Sequence, residues 1–222
     1  MISSNNAKAQ ALPLRLPMRT DLHLARKAWH LLMGLFIVLV YSSGISRANG
    51  VLLLALFFAW DLTMEVARLR SATLNEKLIK IWGPVMRASE VNRMSAIPHY
   101  LLASMIAVAV FPKPVAVLSI LFLACGDPLA SLFGILYGNK SLRFANGKSL
   151  IGTLAGVATC AIITFMYLGS QAVPLGTLLP VTLIGGLAGG LVELLPLEVD
   201  DNFTIPVVSG FVMWLAFLAF GL

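Results

Sequence analysis

Residues 114–137, PVAVLSILFLACGDPLASLFGILY, place one charged side chain, Asp127, inside an apolar run long enough to cross about 30 Å of hydrocarbon as a helix. A carboxylate at such depth costs roughly 3 kcal/mol on insertion scales and faces a wet cavity or a partner. Pro128 removes a backbone donor and disfavours helical backbone at Asp127. The run therefore reads as a broken span, with Asp127 capping a second half from Leu129 to Tyr137. Two readings of Asp127 stand at this point: a cap and nothing more, or a carboxylate kept for chemistry.

Outward from this run, similar apolar stretches recur at roughly 28–44, 50–66, 96–112, 150–169, 174–195 and 203–221. Together they predict an all-α polytopic membrane protein of about seven transmembrane helices. The composition agrees, at 59% hydrophobic and 12% charged residues, which excludes an ordinary soluble domain. Between the second and third runs, Leu74, Leu78, Ile81 and Val85 recur at helical spacing among Lys77, Lys80 and Arg87, the pattern of an interfacial amphipathic helix. Residues 1–25 form a polar, basic lead with Pro13 and Pro17, expected to be a flexible tail rather than a cleaved signal. Residues 26–222 are expected to form a single membrane-embedded domain. Cys125 and Cys160 lie in apolar stretches without a paired framework, so no disulfide or thiolate metal site is expected.

The net charge of +6 reflects topology rather than nucleic-acid binding. With the N-terminus inside and seven crossings, Lys and Arg gather on one side, in the lead, between Arg68 and Arg93, and between Lys140 and Lys148. Arg47 and Lys113 alone fall opposite. The expected arrangement is a multi-pass protein of a bacterial inner membrane, N-terminus cytoplasmic and C-terminus external. All carboxylates fall on the cytoplasmic side or within spans, which suits an enzyme working at one face better than a pore.

Several clusters could carry chemistry, each beside a plainer reading. Arg26, Lys27 and His30 share a helix face at the start of the first span, where they grip a phosphate or anchor the helix at the interface. Asp61, Glu65 and Arg68 occupy one face of the second span, as a salt-bridged helix end or a wet site. Gly134-x-x-x-Gly138-Asn139-Lys140, Arg143, and Gly147-Lys148-Ser149 leading into Gly152 juxtapose glycines and cations as phosphate cradles do, or simply serve topology. The P-loop spacing is absent. Glu193, Glu198, Asp200, Asp201 and Asn202 offer hard oxygen ligands suited to Mg²⁺, or a helix cap before Pro206. Gly185, Gly186, Gly189 and Gly190, with Gly152 and Gly156 in the preceding span, are expected to permit close helix packing.

Taken in order, Arg26-Lys-x-x-His30, Gly126-Asp127-x-x-Ala130-Ser131-x-x-Gly134-x-x-x-Gly138-x-Lys140, Lys148-Ser149-x-x-Gly152-Thr153, and Glu193 with Asp201-Asn202-x-x-x-Pro206 resemble the CTP-dependent lipid-alcohol kinase family of dolichol kinase, phytol kinase and yeast-type diacylglycerol kinase. The resemblance covers about residues 25–210. Ile151 departs from it, since many relatives carry Glu there. The resemblance implies transfer of the CTP γ-phosphate to the hydroxyl of a membrane lipid alcohol. It implies Arg26, Lys27, His30, Gly134, Gly138, Lys140, Ser149 and Gly152 at the nucleotide and its phosphates, Asp127, Lys148 and Asp201 as catalytic, and Asp127, Glu193, Asp201 and Asn202 around a divalent cation, with Mg²⁺ expected. Two competing readings are phosphatidate cytidylyl transfer, which lacks its own signature here, and a small transporter built on a broken helix.

Overall fold

The structure, a computed structural model, describes residues 22–197 and 199–222. The expected tail therefore lies outside the described residues up to position 21, as does Glu198. The order is α1 (Leu24–Ser42), α2 (Arg47–Arg70), α3 (Ala72–Trp82), α4 (Ile97–Val110), α5 (Lys113–Leu121), α6 (Asp127–Tyr137), α7 (Leu150–Ser170), α8 (Leu175–Leu191) and α9 (Asp201–Phe220). No strand occurs among the described residues, and the chain is a multi-pass membrane protein. Among the described residues six helical stretches are long and apolar enough to span, with α5 and α6 counted as one. The expected seventh, 96–112, is the 14-residue α4, about 21 Å long. Its start is fixed by Pro98 in the first turn and by the Ser95 amide, which donates to Glu65 Oε2 at 2.7 Å.

The run 113–137 forms the centre of the bundle. Val115, Ala116, Leu118, Ile120, Phe122, Leu123 and Ala124 are all fully buried. Here the structure corrects the expected break. Phe122–Gly126 is a π-helical turn, and the Asp127 amide reaches back five residues to the Phe122 carbonyl. The wider turn accommodates Pro128 without ending the helix. Asp127 consequently has helical backbone (φ −60°, ψ −50°) and caps nothing.

Around this centre α7 and α8 make the most extensive helix pair. Glycine lets their backbones meet: a Cβ on Gly186 would lie 2.9 Å from both the Val157 carbonyl oxygen and Ala161 Cβ. The same geometry joins α6 to α7, where a Cβ on Gly152 would lie 2.7 Å from the Ala130 carbonyl oxygen. The outer faces carry Leu32, Phe36, Leu39, Trp60, Ile162, Met166, Leu183 and Leu218, all exposed, as a lipid-facing surface requires.

The amphipathic helix exists as α3 but is shorter than the 68–93 segment, and its face differs from expectation. Ile79 packs inward with Met86 and Val91, whereas Ile81 is exposed. Beyond α3 the chain is organised by Arg68, which is 3% exposed. Its guanidinium donates to both Glu65 carboxylate oxygens at 2.8 and 2.7 Å, and to the carbonyls of Glu90, Val91 and Arg93 at 3.1, 3.3 and 2.8 Å. The salt-bridged helix end is thus the reading the geometry bears out for Glu65 and Arg68. Asp61 lies outside that network, and its Oδ2 is buried without a partner. At the far end of the bundle Arg47 donates to the Phe111 carbonyl at 3.0 Å and Lys113 Nζ sits 5.1 Å over the Tyr41 ring. The two cations assigned to the opposite side therefore share one end.

Candidate active site

At the other end the N-termini of α1, α7 and α9 open on one cavity of about 490 Å³, with the first half of α6 along its wall. Helix N-termini present unpaired amides and a positive field, so the convergence favours bound anions. The Ser149 side chain caps α7 by accepting from the Gly152 amide at 3.2 Å. Asp200 caps α9 by accepting from the Asn202 amide at 2.9 Å. The cap expected at Asp201 or Asn202 thus falls one residue earlier, and Pro206 lies within α9 rather than at its start.

Lys148 is delivered by a tight turn. Phe144 and Lys148 are joined by an amide-to-carbonyl bond of 2.8 Å, and Leu150 and Leu142 by one of 2.9 Å. Gly147 completes the reversal at φ +82°, in the left-handed region that glycine occupies without strain. The ammonium then lies 2.9 Å from Glu193 Oε2 and 2.8 Å from Asp201 Oδ2. Burial alone would lower the Lys148 pKa, but Glu193, Asp201 and Asp127 outweigh it and hold the ammonium above the usual lysine range. Glu193 is fixed in turn: Thr153 Oγ1 donates to its Oε1 at 3.1 Å, and Asn146 Nδ2 donates to its carbonyl at 3.0 Å.

Asp127 lines the cavity, yet no hydrogen bond or ion pair reaches its carboxylate among the described residues. The cations of α1, Arg26 and Lys27, line the same cavity. Arg26 Nη1 is paired with Glu90 Oε2 at 2.9 Å and donates to the Val85 carbonyl at 3.2 Å, while its Nη2 is buried without a partner. The Lys27 ammonium donates to the Leu22 carbonyl. His30 is 7% exposed, stands edge-on to Tyr100 with centroids 5.4 Å apart, and leaves Nδ1 unpartnered.

Among the residues singled out in the sequence, Arg26, Lys27, His30, Asp127, Gly134, Lys148, Ser149, Gly152, Glu193 and Asp201 converge on this cavity. Gly138 does not: it is buried where a Cβ would lie 3.0 Å from Ser149. Lys140 is exposed and absent from the cavity lining. Asn202 is buried beneath it, with Nδ2 donating to the Asp200 carboxylate and Oδ1 unpartnered. Arg87, Asn139, Arg143 and Asn146 line the cavity as well, and Arg87 and Asn146 escaped the sequence analysis as site residues. Among the described residues no three His, Cys, Asp or Glu side chains are grouped as a metal cage.

No family model matches the chain, and no solved structure does. Curated proteins do. The chain is 32% identical over 206 residues to "CTP-dependent diacylglycerol kinase 1" of Eremothecium gossypii, covering 85% of this chain and 65% of that protein. It is 30% identical over 199 residues to the protein of the same name from Schizosaccharomyces pombe, covering 86% of this chain and 91% of the relative. It is 27% identical over 208 residues to "Farnesol kinase, chloroplastic" of Arabidopsis thaliana, covering 89% and 66%. Relatives named for different lipid alcohols thus align along most of the chain, and on that extent of similarity the chain belongs to the CTP-dependent lipid kinase family.

Proposed function

We propose that this protein transfers the γ-phosphate of CTP to the hydroxyl of a membrane lipid alcohol, a polyprenol such as dolichol, phytol or diacylglycerol, yielding a lipid phosphate and CDP. The observation that carries this reading is the junction of Lys148, Glu193 and Asp201 beside an unpartnered Asp127, within a cavity fed by helix N-termini. Phosphoryl transfer asks mainly for positioning and charge neutralisation, which this arrangement offers. Relatives named for CTP support the donor.

In this reading the triphosphate lies against the N-terminus of α7 and the α1 cations, with Lys148 and Arg26 Nη2 facing its oxygens. The lipid hydroxyl approaches from the bilayer toward Asp127, the carboxylate that makes no hydrogen bond or ion pair with a described residue. The hydroxyl oxygen forms a bond to the γ-phosphorus as the bond to the CDP oxygen breaks, and Asp127 takes the hydroxyl proton. Asp127, Glu193 and Asp201 form no metal cage by themselves and would hold a divalent cation only jointly with the phosphates, as Mg²⁺ is commonly held. Such an ion supplies neutralisation of phosphate charge. The site-bearing end faces the cytoplasm in this proposal, consistent with the distribution of Lys and Arg.

The test is to incubate purified protein with γ-labelled CTP or ATP and a panel of lipid alcohols. Label moves from CTP to lipid in the wild type and not in Asp127→Asn. Equal transfer by the variant would remove Asp127 from the reaction.

A further inference from the structure

Arg87 belongs to none of the segments that resemble the kinase family, yet it lines the cavity. It sits on the turn between α3 and α4, half-buried, and its guanidinium makes no hydrogen bond or ion pair with any described residue. Arg26 and Asp127 line the same cavity, and the charges that act on Arg87 are those of Arg26, Glu90, Asp127 and Asp200. Two guanidinium groups on one cavity, one of them without a hydrogen-bonded carboxylate of its own, suit a polyphosphate.

The turn is built to hold this geometry. Glu90, 7% exposed, accepts at a single oxygen, Oε2, from Arg26 Nη1 at 2.9 Å and from the Arg87 amide at 3.0 Å. One carboxylate oxygen thereby fixes a side chain of α1 and the backbone of the Arg87 turn relative to each other. Behind it, Arg68 grips the Glu90 carbonyl at 3.1 Å, so the turn is anchored from both sides. The remaining Arg26 amine, Nη2, is buried without a partner.

We infer that Arg87 and Arg26 form a two-guanidinium clamp on the polyphosphate of the donor, with Glu90 as the positioning residue that sets their spacing. The inference rests on the kinase reading for the identity of the donor but not for the binding of a polyphosphate. Planar guanidinium groups bind phosphate oxygens through paired donors, and two of them match a chain of linked phosphates. Removal of Arg87 leaves the fold intact, because the side chain contributes no internal bond.

The experiment measures binding of inorganic tripolyphosphate and of CTP to the full chain in detergent, for wild type, Arg87→Met, Arg87→Lys and Glu90→Gln. Wild type binds tripolyphosphate; Arg87→Met weakens it roughly 10- to 100-fold, with unliganded thermal stability unchanged, and Arg87→Lys recovers part of the loss. Glu90→Gln weakens binding less and raises KM for CTP more than it lowers kcat, a split that a purely structural role would not produce. Failure of the wild type to bind tripolyphosphate, or affinity within about twofold of wild type in Arg87→Met, overturns the clamp. Should binding follow this pattern while no lipid alcohol is phosphorylated, the clamp stands and the kinase reading fails.

Discussion

Lys148 Nζ lies 2.8 Å from Asp201 Oδ2, a contact between residues 53 apart in sequence that joins the turn before α7 to the first residue of α9. The same ammonium holds Glu193, so three segments of the chain are drawn to one point. Replacing Lys148 with Met strands Glu193, whose side chain is 7% exposed, and releases Asp201, whose side chain is 39% exposed. The buried arm dominates, and the exposed arm is discounted for screening, giving a loss of about 2–3 kcal/mol. Denaturation of Lys148→Met, Glu193→Gln and the double variant checks this, with the double variant less destabilised than the sum.

The Lys148 pKa is raised from 10.5, burial opposing and the three carboxylates prevailing. A raised folded-state pKa supplies stability that is complete below the unfolded value and lost as pH rises through the folded one. Lys148 therefore stays charged between about pH 6 and 9, and no limb of the activity profile in that window belongs to it. Lys148→Arg is expected to leave the apparent pKa values of kcat/KM in place, whatever it does to the rate.

Asp127→Asn removes a carboxylate that makes no hydrogen bond or ion pair among the described residues. Thermal stability in detergent is expected to stay within about 1 kcal/mol of wild type while phosphate transfer is lost. A variant that unfolds instead would mean the carboxylate supports the α6 region.

The glycine contacts separate packing from catalysis. Gly186→Ala pushes a methyl group to 2.9 Å from the Val157 carbonyl oxygen and is expected to cost about 1–3 kcal/mol. Gly169→Ala, on an open part of α7 with nothing within 4 Å, is expected to be neutral or up to about 1 kcal/mol stabilising. Thermal unfolding of the two variants side by side reads the difference.

Arg68→Lys keeps a charge but loses the planar fork that binds Glu65 and three carbonyls. The expected cost is about 3 kcal/mol, with faster hydrogen exchange across residues 87–95. Unchanged exchange there would contradict the anchoring assigned to Arg68.

The spans were legible because twenty apolar residues in a row have few other uses, and α7 begins where the sequence said it would. The course of the chain at Asp127 was not legible. Asp-Pro signals a helix boundary by local sterics, and here a π turn absorbed the proline while the enclosing helices kept the span continuous. The cavity's cations and carboxylates were largely readable from charge stranded beside apolar runs. Gly138 was read as part of a phosphate cradle, and Gly152 both as that and as a packing glycine; packing alone accounts for Gly138, while Gly152 packs on Ala130 and also lines the cavity. Arg87 escaped because the spacing of Leu74, Leu78, Ile81 and Val85 made it read as one more cation of an interfacial helix. The trace it left was an acidic residue three positions on, Glu90, in a basic segment.

The central claim is that the γ-phosphorus, rather than the α-phosphorus, of CTP moves to lipid. Parallel reactions with α-labelled and γ-labelled CTP, each with the same lipid alcohol, test it most directly. The account predicts that lipid product carries label from γ-labelled CTP alone, with unlabelled lipid and labelled CDP in the other tube. Lipid labelled from α-labelled CTP, with pyrophosphate released, would contradict it.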